Sequence, residues 1–323
     1  MHRLLKLLAA AAAILMLVPA AAQDAYPNRV VRIVVPYPAG GIADKIAREV
    51  AQGLTERWGH NVIVENRPGA AGNVGMDYVA KQPADGYTLA LAPASNLTVN
   101  DALFKNLTYD IHKDFAPVSL LISTPQVLVV YPGVPARNLA ELTAYLKANP
   151  AKANYGSPGV GAFAHLAGEM LSFETGAKLT HVPYQGLAPA VNDLLGGQIS
   201  LMFAEVITAV PHIKAGKMKP IAIAHSSRAP WLPDVPTTAE AGIPNVQVSS
   251  WYGLIVRRGT PAPAMTRIVR DVREIMHSAD MKKRYDEIGA YAVGSSPEDF
   301  EAFIRTETDK WQGLIKKVGI QPQ

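Results

Sequence analysis

Apolar residues follow two rhythms along this chain. Residues 30–35 (VVRIVV) are almost continuously apolar, the pattern of a strand buried on both faces, which has no need to alternate. Behind them Ile42, Ile46, Val50, Leu54 and Trp58 recur every fourth residue, one stripe of an amphipathic helix. A short apolar run at 62–64 predicts a second strand, so 30–64 reads as a strand–helix–strand crossover. A helix over 73–81 capped by Asn73, a turn at Asp85-Gly86 and a strand over 87–91 complete one α/β half.

The same alternation continues beyond it. Strands are predicted at 118–122 and 127–130. Asn138 with Glu141, a capping-box-like pair, opens a helix to about 148. A strand over 152–155, a helix over 162–173 closed by Gly176, a strand over 179–182 and a short helix over 189–195 follow. Gly196-Gly197 suits the end of that helix. Further strands are expected at 199–203, 221–224 and 246–256. The tail reads as three helices, 263–277, 279–288 and 297–317, the last with Ser296 as cap and Pro297 in its first turn. The predicted class is therefore α/β, in two discontinuous domains with doubly wound sheets: 23–120 joined by 250–323, and 121–249. The chain crosses between them near 117–124 and near 248–251. Two crossings make a hinge, and the cleft between the bodies is the natural ligand site.

The first residues obey a different pattern. His2, Arg3 and Lys6 precede an uncharged apolar run at 7–18, then Pro19 and three alanines. This is the order of a secretory signal peptide, and the run falls short of the roughly 20 residues of a membrane span. A cleaved leader over 1–22, a mature start near Gln23 and a soluble periplasmic product are expected. The absence of cysteine removes the usual lipid-anchoring residue, disulfides, thiolate metal sites and a cysteine nucleophile. Without Arg3 and Lys6, 29 basic residues face 27 acidic ones. That balance, with no block of like charge, argues against a nucleic-acid partner.

Enzyme signatures are missing. Gly40-Gly41-Ile42-Ala43 lacks the Lys and Ser/Thr of a phosphate-binding loop. The glycines of GSPGVG at 156–161 are not in dinucleotide-binding order, and there is no G-x-S-x-G elbow. The histidines form no metal-binding pair on a helix, and no cofactor or metal is called for. His165 and Glu169, one helical turn apart, are the single acid–base pair in view. What stands out instead is a set of glycine- and proline-marked turns at predicted strand ends: PYPAGGIAD (36–44), ENRPGAAGNVG (65–75), APASN (92–96), YGSPGVGAFAH (155–165) and VPYQGLAP (182–189). In such sheets ligands bind beyond the carboxyl ends of strands, beside helix N-termini. Each terminus offers up to four unpaired N–H donors and a partial positive charge. Two opposed termini could hold a dicarboxylate without any arginine, and Gly40-Gly41 would let bare backbone approach it. For Asp44 two roles stand: a first-turn acid on the helix dipole, or a group that orders water or accepts an N–H from the ligand.

YPNRVVRIVVPYPAGGIADKIAR, VIVENRPGAAGNVGMDYVAKQPADGYTL, HLAGEML, HVPYQGLAPAVNDLLGGQISLMF and SSWYGLIVRRGTPAP together resemble the Bug family, the extracytoplasmic solute receptors of tripartite tricarboxylate transporters. The likeness runs through the whole mature chain. It implies a type II periplasmic binding protein, a Venus flytrap whose two domains close on a small organic carboxylate. The receptor would act as a monomer and hand its ligand to membrane permease subunits, with no catalytic residues. The resemblance places ligand-binding groups at Tyr37, Pro38, Ala39, Gly40, Gly41 and Asp44 on one side and at Ser157, Gly161, Ala162, His165, Tyr184, Gln185 and Gly186 on the facing side. Ser95, in the APASN turn, and Glu205, in the half of the cleft that sets specificity, join them as candidates. Two positions depart from the family's pattern: Ala162, where Thr or Ser is frequent, and Ala204, where Asp is frequent, with Glu205 beside it. A receptor serving a signalling partner and an exported enzyme on the same fold remain as alternatives.

Overall fold

The computed structural model describes residues 26–320 and residue 322; the expected leader lies outside the described residues. The first lobe begins with β1 (Val31–Val35), α1 (Ile42–Trp58), β2 (Val62–Asn66), α2 (Asn73–Ala80) and β3 (Thr88–Pro93). β2, β1 and β3 lie side by side in parallel. The stripe Ile46, Val50, Leu54 and Trp58 is buried against this sheet. Three short helices follow, α3 (Ala94–Thr98), α4 (Asn100–Leu103) and α5 (Ile111–Asp114), and lead into β4 (Phe115–Val130).

β4 is a single strand of 16 residues, where the sequence pattern suggested two. Its prolines explain the difference. A proline cannot donate to a strand ladder and is tolerated at irregularities and pairing ends. Pro117 sits at a register shift, and Pro125 is the last residue paired with the long returning strand. From Gln126 onward β4 pairs with two other strands. The interruption in sequence is thus a change of partner in one continuous strand.

The second lobe contains α6 (Leu139–Ala148), β5 (Asn154–Ser157), α7 (Phe163–Thr175), β6 (Thr180–Pro183), α8 (Leu187–Leu195), β7 (Leu201–Glu205), α9 (Val206–Lys214) and β8 (Lys219–Ile223). β9 (Ser249–Arg257) then runs back between β3 and β4, and α10 (Ala262–Met276), α11 (Ala279–Ile288), β10 (Tyr291–Ala292) and α12 (Pro297–Val318) close the first lobe. The strand order is β2-β1-β3-β9-β4-β7-β5-β6, with β8 and β10 also on β4. β5 lies parallel to β6 and β7, so each lobe has its own parallel core. Separate apolar clusters back the two ends of this sheet, and a third runs between the lobes through Phe163, Trp251, Phe300 and Trp311.

Local capping follows the sequence in places and departs from it in others. Asn138 accepts the Glu141 N–H, Ser296 accepts that of Asp299, and Gly176 closes α7 in the left-handed region at φ +64°. Asn73, by contrast, is the first residue of α2 rather than its cap. Its side chain accepts from Asn100 Nδ2 at 2.6 Å and from the Tyr109 hydroxyl at 2.7 Å, and so ties α2 to the chain that follows. α9 was not expected, because Pro211 lies inside it and a proline in an apolar run reads as a break.

Candidate functional site

The cavity between the lobes has a volume of about 610 Å³, within the range of small-molecule sites. Three helices of nine or more residues point their N-termini at it. Gly40–Ala43 come from the start of α1, Ala162–Ala164 from α7, and Gly186–Pro189 from α8. The residues that precede these helices, Gly41, Ala162 and Gly186, make no side-chain bond to the first-turn N–H groups. The first turns therefore keep their donors and their partial positive charge for something else. No Lys or Arg lines the cavity among the described residues. Such a wall can hold an anion by backbone dipoles, and a small carboxylate suits both its size and its donors.

Of the residues expected from sequence, Tyr37, Pro38, Ala39, Gly40, Gly41, Ser95, Ala162, Gln185, Gly186 and Glu205 line this cavity. Five others do not reach its wall. Asp44 is buried behind the first loop, where its Oδ2 accepts the Gly40 N–H at 3.0 Å and Arg48 Nε at 2.9 Å. Burial pushes its carboxyl pKa up, but these bonds outweigh burial and hold it below the usual value. Asp44 thus fixes the turn that presents Gly40 and Gly41. The Tyr184 hydroxyl donates to Asp193 at 2.6 Å, and its pKa is raised to about 12 by burial and that carboxylate.

Ser157, Gly161 and His165 belong to the support of the α7 N-terminus. Ser157 Oγ lies 2.6 Å from His181 Nε2, and the Gly161 N–H donates to His165 Nδ1 at 3.2 Å. The two imidazoles stack with centroids 4.2 Å apart, and Tyr155 stacks on His181 at 4.9 Å. Burial lowers the pKa of each histidine to about 4, so both rings are neutral at pH 7. Glu169 accepts from the Tyr155 hydroxyl at 2.6 Å. The one acid–base pair of the sequence is thus engaged in packing a loop.

The floor of the cavity comes from residues that sequence reasoning passed over. Gln126, Phe203, Ser250, Trp251 and Tyr252 line it, with Thr208 and His212 from α9. The Tyr252 hydroxyl donates to Glu205 Oε1 at 2.8 Å, and Gln126 Nε2 donates to Ser250 Oγ at 2.9 Å. Both bonds join the two lobes. A faint signal was present: Gln126 is a polar residue inside the apolar run TPQVLVV, and SSWYG is polar and aromatic within a strand. Ala204 is buried in the apolar cluster of the second lobe and is not on the cavity wall; its neighbour Glu205 is.

Comparison with known proteins places this geometry in a group. Residues 46–320 match the family described as Tripartite tricarboxylate transporter family receptor. The chain is 35% identical to Protein BugT of Bordetella pertussis over 297 residues, 92% of this chain and 91% of that protein. Among solved structures it is similar to R. palustris Rpa4515 with adipate, with a TM-score of 0.88 and 34% identity, covering 92% of this chain and 100% of the other. It is also similar to MatC (Rpa3494) from Rhodopseudomonas palustris with bound malate, with a TM-score of 0.84 and 32% identity, covering 90% and 100%.

Proposed function

The chain belongs to the tripartite tricarboxylate transporter receptor family and is a solute-binding receptor, and on that footing we propose that it captures a small organic carboxylate between its lobes and delivers it to membrane permease subunits. The single observation that carries the ligand class is the convergence of three helix N-termini without side-chain caps on a cavity lined by no Lys or Arg. The adipate and malate bound to two similar receptors support the same class. The ligand-contacting groups are Tyr37 to Gly41 and Ser95 from the first lobe, and Ala162, Gln185, Gly186 and Glu205 from the second. The lobes correspond to 23–120 with 250–323, and to 121–249. The receptor works as a periplasmic monomer after loss of its leader.

A thermal-shift screen over dicarboxylates, tricarboxylates, aromatic acids and amino carboxylates tests this reading. A raised melting temperature with at least one carboxylate, and recovery of that ligand unchanged after incubation, are expected. Failure of every carboxylate at millimolar concentration would sink the ligand class. Turnover of a bound ligand would sink the receptor reading in favour of an enzyme.

A further inference from the structure

Glu205 ends β7 and Gln126 lies opposite it on β4 as its register partner, so the two side chains share one face of the sheet. That face is the floor of the cavity, and both residues line it. Glu205 is 8% exposed and Gln126 3% exposed. Each bonds through one end only. Glu205 Oε1 takes the Tyr252 hydroxyl and Gln126 Nε2 serves Ser250. Glu205 Oε2 and Gln126 Oε1 are buried without a hydrogen-bond partner. A buried carboxylate oxygen left unpaired is costly, and its charge meets no Lys or Arg on the wall, only the partial positive charge at the start of α9 that it precedes. The N-termini of α1, α7 and α8 offer the cavity donors; Glu205 and Gln126 offer it two open acceptors.

From this polarity we infer that the ligand is an amino carboxylate, its carboxylate held at the helix N-termini and its nitrogen donating to Glu205 Oε2 and Gln126 Oε1. An ammonium group has three N–H donors and a positive charge, enough for both open acceptors and for the Glu205 charge. A second carboxylate in the same place would meet a like charge and two acceptors. The inference rests on the reading of the cavity as a carboxylate site and adds the chemistry of the ligand's other end. Burial raises the Glu205 carboxyl pKa, and the hydrogen bond from the Tyr252 hydroxyl offsets that only in part. A ligand ammonium would favour the ionised form, so binding should strengthen as pH rises through the titration of Glu205. The other ionisable groups on the wall are Tyr37, Tyr252 and His212. The pH series is therefore repeated with His212→Gln, and kept between pH 5 and 8, above the titration of the buried His165 and His181.

The test is calorimetry on the receptor with matched pairs in which one carboxylate is replaced by an ammonium or joined by an α-amino group: succinate with 3-aminopropanoate and aspartate, glutarate with 4-aminobutanoate and glutamate, adipate with 5-aminopentanoate. At least one amino member should bind tenfold or more tightly than its dicarboxylate partner. Glu205→Gln should erase that preference, and Gln126→Leu should reduce it. Circular dichroism and melting of both variants without ligand confirm that they fold. Tighter binding of the dicarboxylates that weakens as pH rises would overturn the inference and make Glu205 a proton-bearing donor. An amino preference unmoved in Glu205→Gln would also overturn it. If no member of either set binds while another carboxylate of the thermal-shift screen does, this inference falls and the carboxylate reading stands; if nothing in the screen binds, both fall.

Discussion

Gly40 holds a left-handed φ of +86°, whereas Gly41 beside it lies at φ −80°, which any residue adopts. A Cβ at Gly40 would meet nothing within 4 Å, and one at Gly41 only the Pro38 carbonyl at 3.9 Å. The two glycines therefore serve different ends. At Gly40 the constraint is the backbone, and Gly40→Ala should cost about 1–2 kcal/mol of stability, read as a lower melting temperature. At Gly41 the constraint is the cavity, whose wall it forms. Gly41→Val should leave the melting temperature nearly unchanged and weaken carboxylate binding more than tenfold, about 1.4 kcal/mol. An unchanged affinity would reduce this loop to a simple turn. Glu205 yields a prediction of the opposite sign. Its folded pKa is raised by burial, so ionisation opposes folding, and the penalty grows as pH climbs above the ordinary carboxylate range. Removing that charge should stabilise the empty receptor. Glu205→Gln should gain about 1–3 kcal/mol near neutrality, with a larger gain at pH 8 than at pH 5. A loss of stability at pH 8 would show that the carboxylate is satisfied in a way the geometry does not provide.

Elements with a period of their own were legible in the sequence; elements defined by their neighbours were not. The four-residue stripe of α1, the left-handed glycine ending α7 and the serine cap of α12 are local devices, and the structure shows each of them. β4 was divided by its prolines, and α9 was hidden by Pro211, because local propensity gave way to pairing and packing. The cavity divides along the same line. Its rim of backbone donors was readable, since glycine and proline mark the turns that build it. Its floor was not, since register between distant strands sets Gln126 against Glu205 and brings Tyr252 to both. The α7 N-terminus shows how a packed element supports the rim: neutral His165 and His181 stack beneath it and hold Gly161 and Ser157. Their pKa values are lowered from 6.5 to about 4. The unfolded chain therefore binds protons before the folded one, and stability should fall as pH drops from about 6.5 to about 4, then level off. The shift at His165 corresponds to about 3 kcal/mol. Melting temperatures across this range should fall steeply in the natural protein and less in His165→Phe, which keeps a flat ring in the stack. Equal slopes would mean that carboxylates alone set the acid sensitivity.

At the scale of the whole molecule, β4 and β9 are the strands that pair on both sides of the cleft or feed it. β4 changes partners between Pro125 and Gln126, and β9 begins at Ser249, just past the Val248 carbonyl that accepts from Gln126 N–H. A hinge at these two points would move one lobe against the other. Away from these points the lobes touch through contacts that such a motion would break: Glu205 with Tyr252, and Phe163 on Trp311 with ring centroids 4.5 Å apart. Both flank the cavity. A ligand spanning the α1 and α7 termini binds both lobes only when they are together, so binding and closure share one free energy. The ligand-free receptor should open in solution, and saturation with ligand should lower its radius of gyration by small-angle scattering. Trp251 lines the cavity and Trp311 packs on Phe163, so tryptophan emission should change over the same titration. Ligand at a hundred times its Kd adds about 2.7 kcal/mol to the native state, which in a chain of this length raises the melting temperature by roughly 4 °C. If the emission and the melting temperature shift while the radius of gyration stays constant, the hinge does not operate, and a preformed cavity accounts for binding. If all three move together, weakening the inter-lobe contacts should separate them. Tyr252→Phe removes only the hydroxyl that joins Glu205 to the first lobe. It should shift the empty receptor toward the open form and weaken affinity by the cost of closing without that bond, about 1 kcal/mol or fivefold.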